Sequence, residues 1–157
     1  MEKIAQYFAI EGYVTDVRPL GNGLINDTYL VSASEGKRYV LQRINHAIFK
    51  DVDLLQRNIA YVTAHIRAKL TAAGENDIDR KVLRFIPLKG SESTYYTDGK
   101  SYWRMSAFIE DSVTVETVTP ESSYCAGKAF GEFQSMLVDI KDPIGETIPD
   151  FHNMELR

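Results

Sequence analysis

The chain has 157 residues, enough for one domain with its own hydrophobic core. Its hydrophobic fraction of 44% is ordinary for a globular protein, and its net charge of -4 argues against nucleic-acid binding, which requires a basic surface. Cys125 is the only cysteine, so an internal disulfide and a cysteine-based zinc cluster are excluded. The sequence shows no signal peptide and no membrane-spanning apolar run, which predicts a cytoplasmic protein without membrane contact.

The first half of the chain has the pattern of a short helix, three strands and a long helix. The short helix is predicted over residues 2–10. Alternating apolar residues, separated by Gly-rich or tight turns, predict strands over residues 13–20, 28–33 and 38–44. Apolar residues at three- and four-residue spacing predict the long helix over residues 52–73, with Asp51 as its N-cap and Gly74 after its end.

The second half has the pattern of further strands followed by one helix. The predicted elements are a candidate strand over residues 82–88, a hairpin over 95–109 with its turn at Asp98 and Gly99, and a helix over 119–138, so this half adds two or three strands. Consecutive strands that pair as hairpins, with one helix between them, are typical of an α+β fold. The sequence therefore predicts a five-stranded antiparallel sheet, a long helix packed on it, and a C-terminal helical segment.

Two motifs in the first three strands carry residues suited to phosphate binding. The turn before the second strand contains Gly21, Asn22 and Gly23, and glycine lets a backbone approach phosphate closely, although a hairpin turn alone also favours it. The third strand carries Gln42 and Arg43, where a kinase-like fold places a cation on the nucleotide phosphates. The two side chains alternate across the strand, so only one can face a nucleotide. Arg43 is preferred for its charge, with a plain surface arginine as the alternative.

The ordered set of elements and motifs resembles the small lobe of the aminoglycoside phosphotransferase and choline kinase superfamily. Within it, the N-acetylhexosamine 1-kinase group is the most similar. The resemblance spans nearly the whole chain, in residues 21–29, 39–45, 49–51, 103–104, 108–111, 129–134 and 149–153. It implies a protein-kinase-like small lobe at residues 1–110. Residues 111–157 would then be a connector and the first helical segment of a large lobe.

The resemblance implies ATP-dependent phosphoryl transfer, with Mg²⁺, to a small hydroxylated acceptor, an amino sugar in the first instance. It also implies which residues contact the nucleotide: Gly21, Asn22 and Gly23 at the phosphates, Gln42 or Arg43 as the cation, Asn58 as its partner, and the backbone of Ala107, Phe108 and Ile109 at the adenine edge. Two of these residues have plainer alternatives. Asn58 would also suit a solvated polar face, and Phe108 a hydrophobic core.

The catalytic base and the metal ligands of such enzymes have no counterpart in this sequence, since His152 is not followed by Gly-Asp. We therefore expect them beyond Arg157, and we expect the 157-residue chain alone to be inactive. An uncovered apolar face on the last helix predicts self-association, or partial disorder near residues 140–157. The alternative is a stand-alone, non-catalytic nucleotide-binding or protein-interaction module. The chain contains neither a Gly-x-Ser-x-Gly elbow nor a Walker motif, which argues against a hydrolase and a P-loop ATPase.

Overall fold

A computed structural model of the chain describes residues 1–21, 23–113, 115, 117–151 and 153–156. Its five strands form one antiparallel sheet in the order β1-β2-β3-β5-β4, with β1 at Val14–Pro19, β2 at Asp27–Ala33, β3 at Arg38–Ile44, β4 at Tyr95–Thr97 and β5 at Tyr102–Ala107. The helices are α1 at Glu2–Ala5, α2 at Val52–Ala72, α3 at Ile78–Lys81 and α4 at Pro120–Leu137. The predicted α+β class, five-stranded antiparallel sheet, long helix and C-terminal helix are confirmed.

One face of the sheet carries the main hydrophobic core. Val31, Leu41 and Met105 come from three neighbouring strands and are completely buried there. The N-terminal segment covers this face, since Phe8 is also completely buried and belongs to the same cluster. Because side chains alternate along a strand, the residues on either side of Val31, Leu41 and Met105 in their own strands project from the opposite face of the sheet. That opposite face is described below as the candidate site.

The long helix begins and ends almost where the sequence predicts. Asp51 caps its first turn, because its Oδ1 accepts a hydrogen bond of 2.8 Å from the Leu54 N–H. The first turns of α2 bury Val52 and Leu55 against Ile44 at the end of β3. Its last turns belong to a separate cluster, in which Ile66, Leu70 and Val82 meet two residues from the end of α4. The helix therefore joins the sheet to the C-terminal part of the chain.

The predicted helix over residues 2–10 is wrong beyond Ala5. Phe8 instead forms an isolated β-bridge with Leu88, and the Ala9 N–H donates to the Pro87 carbonyl over 2.8 Å. Burial of Phe8 and this long-range pairing outweigh the helical spacing of the local sequence. The N-terminal segment is thereby tied to residues 87–89.

The predicted strand over residues 82–88 is also wrong. The short helix α3 precedes it, and the segment contacts β5 through one isolated bridge between Phe85 and Ser106. The backbone N–H of Ile86 donates to the Met105 carbonyl over 2.8 Å, so the segment lies along β5 without forming a regular ladder. Ile86 is buried in the main core, and this burial holds the segment in place.

The predicted turn of the β4–β5 hairpin is present. Gly99 has a φ of +81°, which glycine adopts without the strain that a side chain would cause. The Asp98 Oδ1 accepts backbone hydrogen bonds from Lys100, at 2.9 Å, and Ser101, at 2.8 Å. These bonds stabilise the ionised carboxylate and lower the pKa of Asp98.

The C-terminal helix leaves most of its predicted apolar face uncovered. Thr119 and Ser122 form a capping box at its start, as the Thr-Pro sequence suggests. Phe130 is 70% exposed and Phe133 is 44% exposed. Gly127 has nothing within 4 Å of the position of a Cβ atom, so no other part of the described structure packs closely on the helix there. Only the end of α4 packs against α2.

Candidate functional site

Polar side chains on β2, β3 and β5 form a row across the face of the sheet opposite the main core. The register places Thr28 opposite Gln42, and Gln42 opposite Arg104. The Gln42 Nε2 donates to Thr28 Oγ1 over 3.2 Å, and the Gln42 Oε1 accepts from Arg104 Nε over 3.0 Å. We call these three side chains the polar row. Its hydrogen bonds hold the Arg104 guanidinium against the sheet.

Two further rows lie on the same face, because residues two apart in a strand share a face. The middle row is Leu30, Val40 and Ser106, and the third row is Ser32, Arg38 and Phe108. The strand rise separates successive rows by about 7 Å. The face therefore changes along the strands from a polar end, through a largely apolar middle, to an end that carries an aromatic ring and a cation.

Arg104 is partly buried and has an unusual environment. Its guanidinium lies 5.6 Å from the centre of the Phe85 ring and lines a groove of about 280 Å³ with Asn58, Ile59 and Val62 of α2. Burial lowers the pKa of Arg104 below the ordinary value of an arginine. No carboxylate of the described residues forms an ion pair with it. The polar row thus contains a cation that has no counter-charge within the described part of the chain.

Arg43 lies on the other face of β3. Its Nη2 forms an ion pair of 2.6 Å with the Asp27 Oδ2, and both side chains are about half exposed. Alternation along β3 therefore directs Gln42, the neutral residue, towards α2 and the groove, and directs Arg43 away from them. The structure brings Gln42 and Arg104 together, whereas Arg43 forms an ion pair at the surface.

The glycine-rich turn is anchored to the end of β3. Gly21 has a φ of +67°, and a Cβ atom on Gly23 would lie 2.5 Å from the Asn26 carbonyl oxygen, so both positions require glycine for geometry alone. The Asn26 Oδ1 accepts a hydrogen bond of 3.0 Å from the Asn45 N–H. Asn22 lies outside the described residues. The turn precedes Thr28, so it enters the sheet at the polar row.

The three residues predicted at the adenine edge lie at the opposite end of the face. The Ala107 N–H donates to the Arg84 carbonyl over 2.9 Å, and the Phe108 N–H donates to the Arg38 carbonyl over 3.1 Å. Both of these donors are therefore already used by backbone carbonyls. Ala107, Phe108 and Ile109 all line a groove of about 470 Å³.

Two arginines that contact Glu110 hold one side of that groove in place. The Arg38 guanidinium forms a two-point ion pair with the Glu110 carboxylate and lies 4.6 Å from the centre of the Phe108 ring. The Arg80 Nη1 donates to the Glu110 carbonyl over 2.7 Å. The residues that follow β5 are therefore held against β3 and α3.

Asn58 uses its amide on the C-terminal segment rather than on the polar row. Its Nδ2 donates to the Gly145 carbonyl over 2.6 Å, and its Oδ1 accepts from the Gly145 N–H over 3.2 Å. The Tyr61 hydroxyl, one turn later, accepts the backbone N–H groups of Lys141, at 3.2 Å, and Asp142, at 3.0 Å. We call residues 141–145 the strap. The strap lies within the segment for which the sequence predicts partial disorder, and these hydrogen bonds join it to α2.

Arg104 is the residue that sequence reasoning missed as part of this site. It stands in the run Tyr102-Trp103-Arg104-Met105, where a cation interrupts an otherwise apolar strand. That interruption was the available signal. Its hydrogen bond to Gln42 joins residues 62 positions apart, and no local pattern predicts which strands become neighbours.

No protein-family model matches the chain. None of the described helices is long and apolar enough to cross a membrane. The described residues also contain no group of three or more His, Cys, Asp or Glu side chains placed to hold a metal ion.

Proposed function

We propose that this chain is the nucleotide-binding part of an ATP-dependent phosphotransferase that acts on a small hydroxylated acceptor such as an amino sugar. The observation that carries the proposal is the three-row face of the sheet. The polar row lies beside the glycine-rich turn, and residues 107–109 line a groove at the other end. The first and third rows are about 13 Å apart, a length comparable to that of an extended nucleotide.

Each part of the face suits one part of ATP. The backbone of the turn around Gly21 and Gly23 suits the phosphates, and the partly exposed Val40 side chain suits one face of a purine ring. Residues 107–109 suit the ring edge through their remaining backbone groups. In phosphoryl transfer, positioning and charge neutralisation provide most of the rate, which is what such a surface contributes.

The described residues contain no group of three or more His, Cys, Asp or Glu side chains placed to hold a metal ion. We therefore assign no metal ligand within them. In this proposal the metal ligands, the catalytic base and the acceptor pocket lie outside the chain, so residues 1–157 bind nucleotide without turnover. Phosphorylation of an N-acetylhexosamine by purified residues 1–157 would contradict this part of the proposal.

The test of nucleotide binding is an ATP titration of isotope-labelled chain, followed by amide chemical shifts. We expect the shifted amides to cluster at residues 21–28, 40–42, and 104–109. A Ser106→Phe variant places a ring in the middle row and should weaken ATP binding about tenfold or more, because filling a site removes its contacts. Ser101→Phe, at the hairpin tip, is the matched control. Shifts elsewhere, or equal affinities of the two variants, would contradict the proposal.

A second function is favoured by a different observation, the uncovered apolar face of α4. A stand-alone, non-catalytic interaction module would use Phe130 and Phe133 to bind a protein partner. This alternative predicts that Phe130→Ser abolishes partner binding, while ATP at millimolar concentration shifts no amide of the sheet.

A further inference from the structure

At the polar row, the third strand carries no cation. Gln42 is neutral and Arg43 projects from the other face, where it is paired with Asp27. The neighbouring strand does carry a cation, since Arg104 is the register partner of Gln42. The positive charge is therefore present at the same level of the sheet, displaced by one strand.

Arg104 differs in its pairing from the other partly buried arginines of the described chain. Arg38 is paired with Glu110, and the Arg67 Nη1 lies 2.8 Å from the Asp79 Oδ1. Arg104 has a neutral amide as its hydrogen-bond partner and an aromatic ring beside it. A guanidinium that is removed from water without a counter-charge is costly, and an anionic ligand would supply that counter-charge.

The side chain is also held in place before any ligand arrives. The Gln42 amide bridges Thr28 and Arg104, so the Nε of Arg104 is already used, and its terminal nitrogens keep their donors for another acceptor. A guanidinium fork that is fixed in this way matches phosphate oxygens in two-point geometry.

We propose that Arg104 supplies the cation for the phosphates of the bound nucleotide, in place of a β3 cation, and that Gln42 is the residue that positions it. This inference rests on the proposed function. It assigns phosphate binding to a specific residue of β5, and it explains why the residue of β3 in the same row, Gln42, is neutral.

The experiment measures binding of three probes by calorimetry: ATP with Mg²⁺, adenosine, and inorganic tripolyphosphate. The variants are Arg104→Gln, Arg104→Lys, and Arg43→Gln as the control, which removes the same charge from the opposite face. We expect Arg104→Gln to weaken ATP and tripolyphosphate binding about tenfold or more, because a hydrogen-bonded charge contact is lost, and to leave adenosine unchanged. Arg104→Lys keeps a point charge, so its affinity for ATP and tripolyphosphate should lie between that of Arg104→Gln and that of the unmodified chain. Arg43→Gln should bind all three probes as the unmodified chain does.

A double variant separates phosphate binding from a structural role. Gln42→Lys in the Arg104→Gln background returns a cation to the same row from the neighbouring strand, and we expect it to recover affinity for ATP and tripolyphosphate. If Arg104→Gln weakens the binding of ATP and of adenosine equally, and Gln42→Lys does not restore affinity, the assignment of Arg104 would be overturned while the proposal of nucleotide binding would stand. Tripolyphosphate binding that depends on Arg104, without adenosine binding, would support Arg104 and overturn the nucleotide proposal. Binding of none of the probes would overturn both.

Discussion

The Gln42 amide is neutral and uses both of its ends. Its nitrogen donates to Thr28 and its oxygen accepts from Arg104, so it orients the guanidinium without cancelling its charge. A carboxylate at this position would form an ion pair with Arg104, and an ammonium would repel it. The identity of residue 42 therefore determines whether Arg104 is available to an anion.

Gln42→Glu tests this dependence at the residue scale. The new carboxylate would pair with Arg104, so we expect tripolyphosphate binding to weaken about tenfold while the melting temperature is maintained or raised. Arg43→Gln lowers the net charge by the same amount on the other face and serves as the control. Equal affinities of the two variants for tripolyphosphate would show that residue 42 acts only through net charge.

Gly145 is the strap residue that packs against Leu54 of α2. A Cβ atom here would be 2.5 Å from the Leu54 Cδ1 and 3.2 Å from its Cγ. We expect Gly145→Ala to destabilise the anchored strap by about 1–3 kcal/mol, since overpacking forces side chains to shift. Hydrogen exchange of the Lys141 and Asp142 amides measures this loss.

The control for Gly145→Ala is the same substitution where there is room. Gly127 lies in α4 with nothing within 4 Å of a Cβ atom, so Gly127→Ala should stabilise the helix by about 0.5–1 kcal/mol. Leu54→Ala removes the obstructing methyl groups and should reduce the effect of Gly145→Ala. Unchanged strap protection in Gly145→Ala would contradict the close contact with Leu54.

At the scale of elements, the sequence predicts structure well where the stabilising pattern is local. The long helix has a regular apolar stripe and an Asp51 cap, and it is observed within one residue of its predicted end. Residues 6–10 and 82–88 are predicted wrongly, because their conformation depends on partners distant in the sequence: Phe8 bridges Leu88, 80 positions away, and Phe85 bridges Ser106, 21 positions away. Helical or alternating spacing in one segment contains no information about such a partner.

The contact between α2 and the end of α4 depends on ionisation. The Lys69 Nζ donates to the Asp139 Oδ1 over 2.7 Å and to the Met136 carbonyl over 3.1 Å, and the His65 Nε2 lies 3.1 Å from the same carboxylate oxygen. The hydrogen bond from Lys69 lowers the pKa of Asp139. A lowered pKa in the folded state means that the carboxylate stabilises the fold above its unfolded-state pKa, and that this stabilisation is lost as the pH falls through the folded-state value.

We therefore expect Asp139→Asn to lower the melting temperature at neutral pH, and to lower it less and less as the pH falls through the folded-state pKa of Asp139 and the carboxylate becomes protonated. His65 also faces this carboxylate, so the substitution removes both contacts. Asp142→Asn is the control, because the Asp142 side chain forms no ion pair with the described residues. A melting temperature of Asp139→Asn that matches that of Asp142→Asn at every pH would contradict this role.

At the scale of the whole molecule, α4 exposes apolar surface. Phe130 and Phe133 lie on the apolar side of α4 that the sequence predicts to be uncovered, and they are 70% and 44% exposed. Covering large apolar side chains is favourable, so the chain should self-associate through this face. Sedimentation at increasing concentration should reveal dimers or larger species.

Phe130→Ser should weaken that association about tenfold or more, since burial of a phenylalanine contributes about 1.5–3 kcal/mol. Tyr124→Ser is the matched control, because Tyr124 is 73% exposed on the opposite side of the same helix. A chain that is monomeric at all concentrations, or equal weakening by the two variants, would contradict an interface at Phe130.

The attachment of α4 at one end has a mechanical consequence. Met136 and Leu137 pack in the cluster at the end of α2, whereas most of the helix before them is exposed. An 18-residue helix is about 27 Å long, so a tilt of about 10° at this attachment would displace its first turn by about 5 Å. Small rearrangements at Lys69 and Asp139 would thus produce larger displacements at Thr119, because α4 would rotate as a rigid body about its contact with the end of α2.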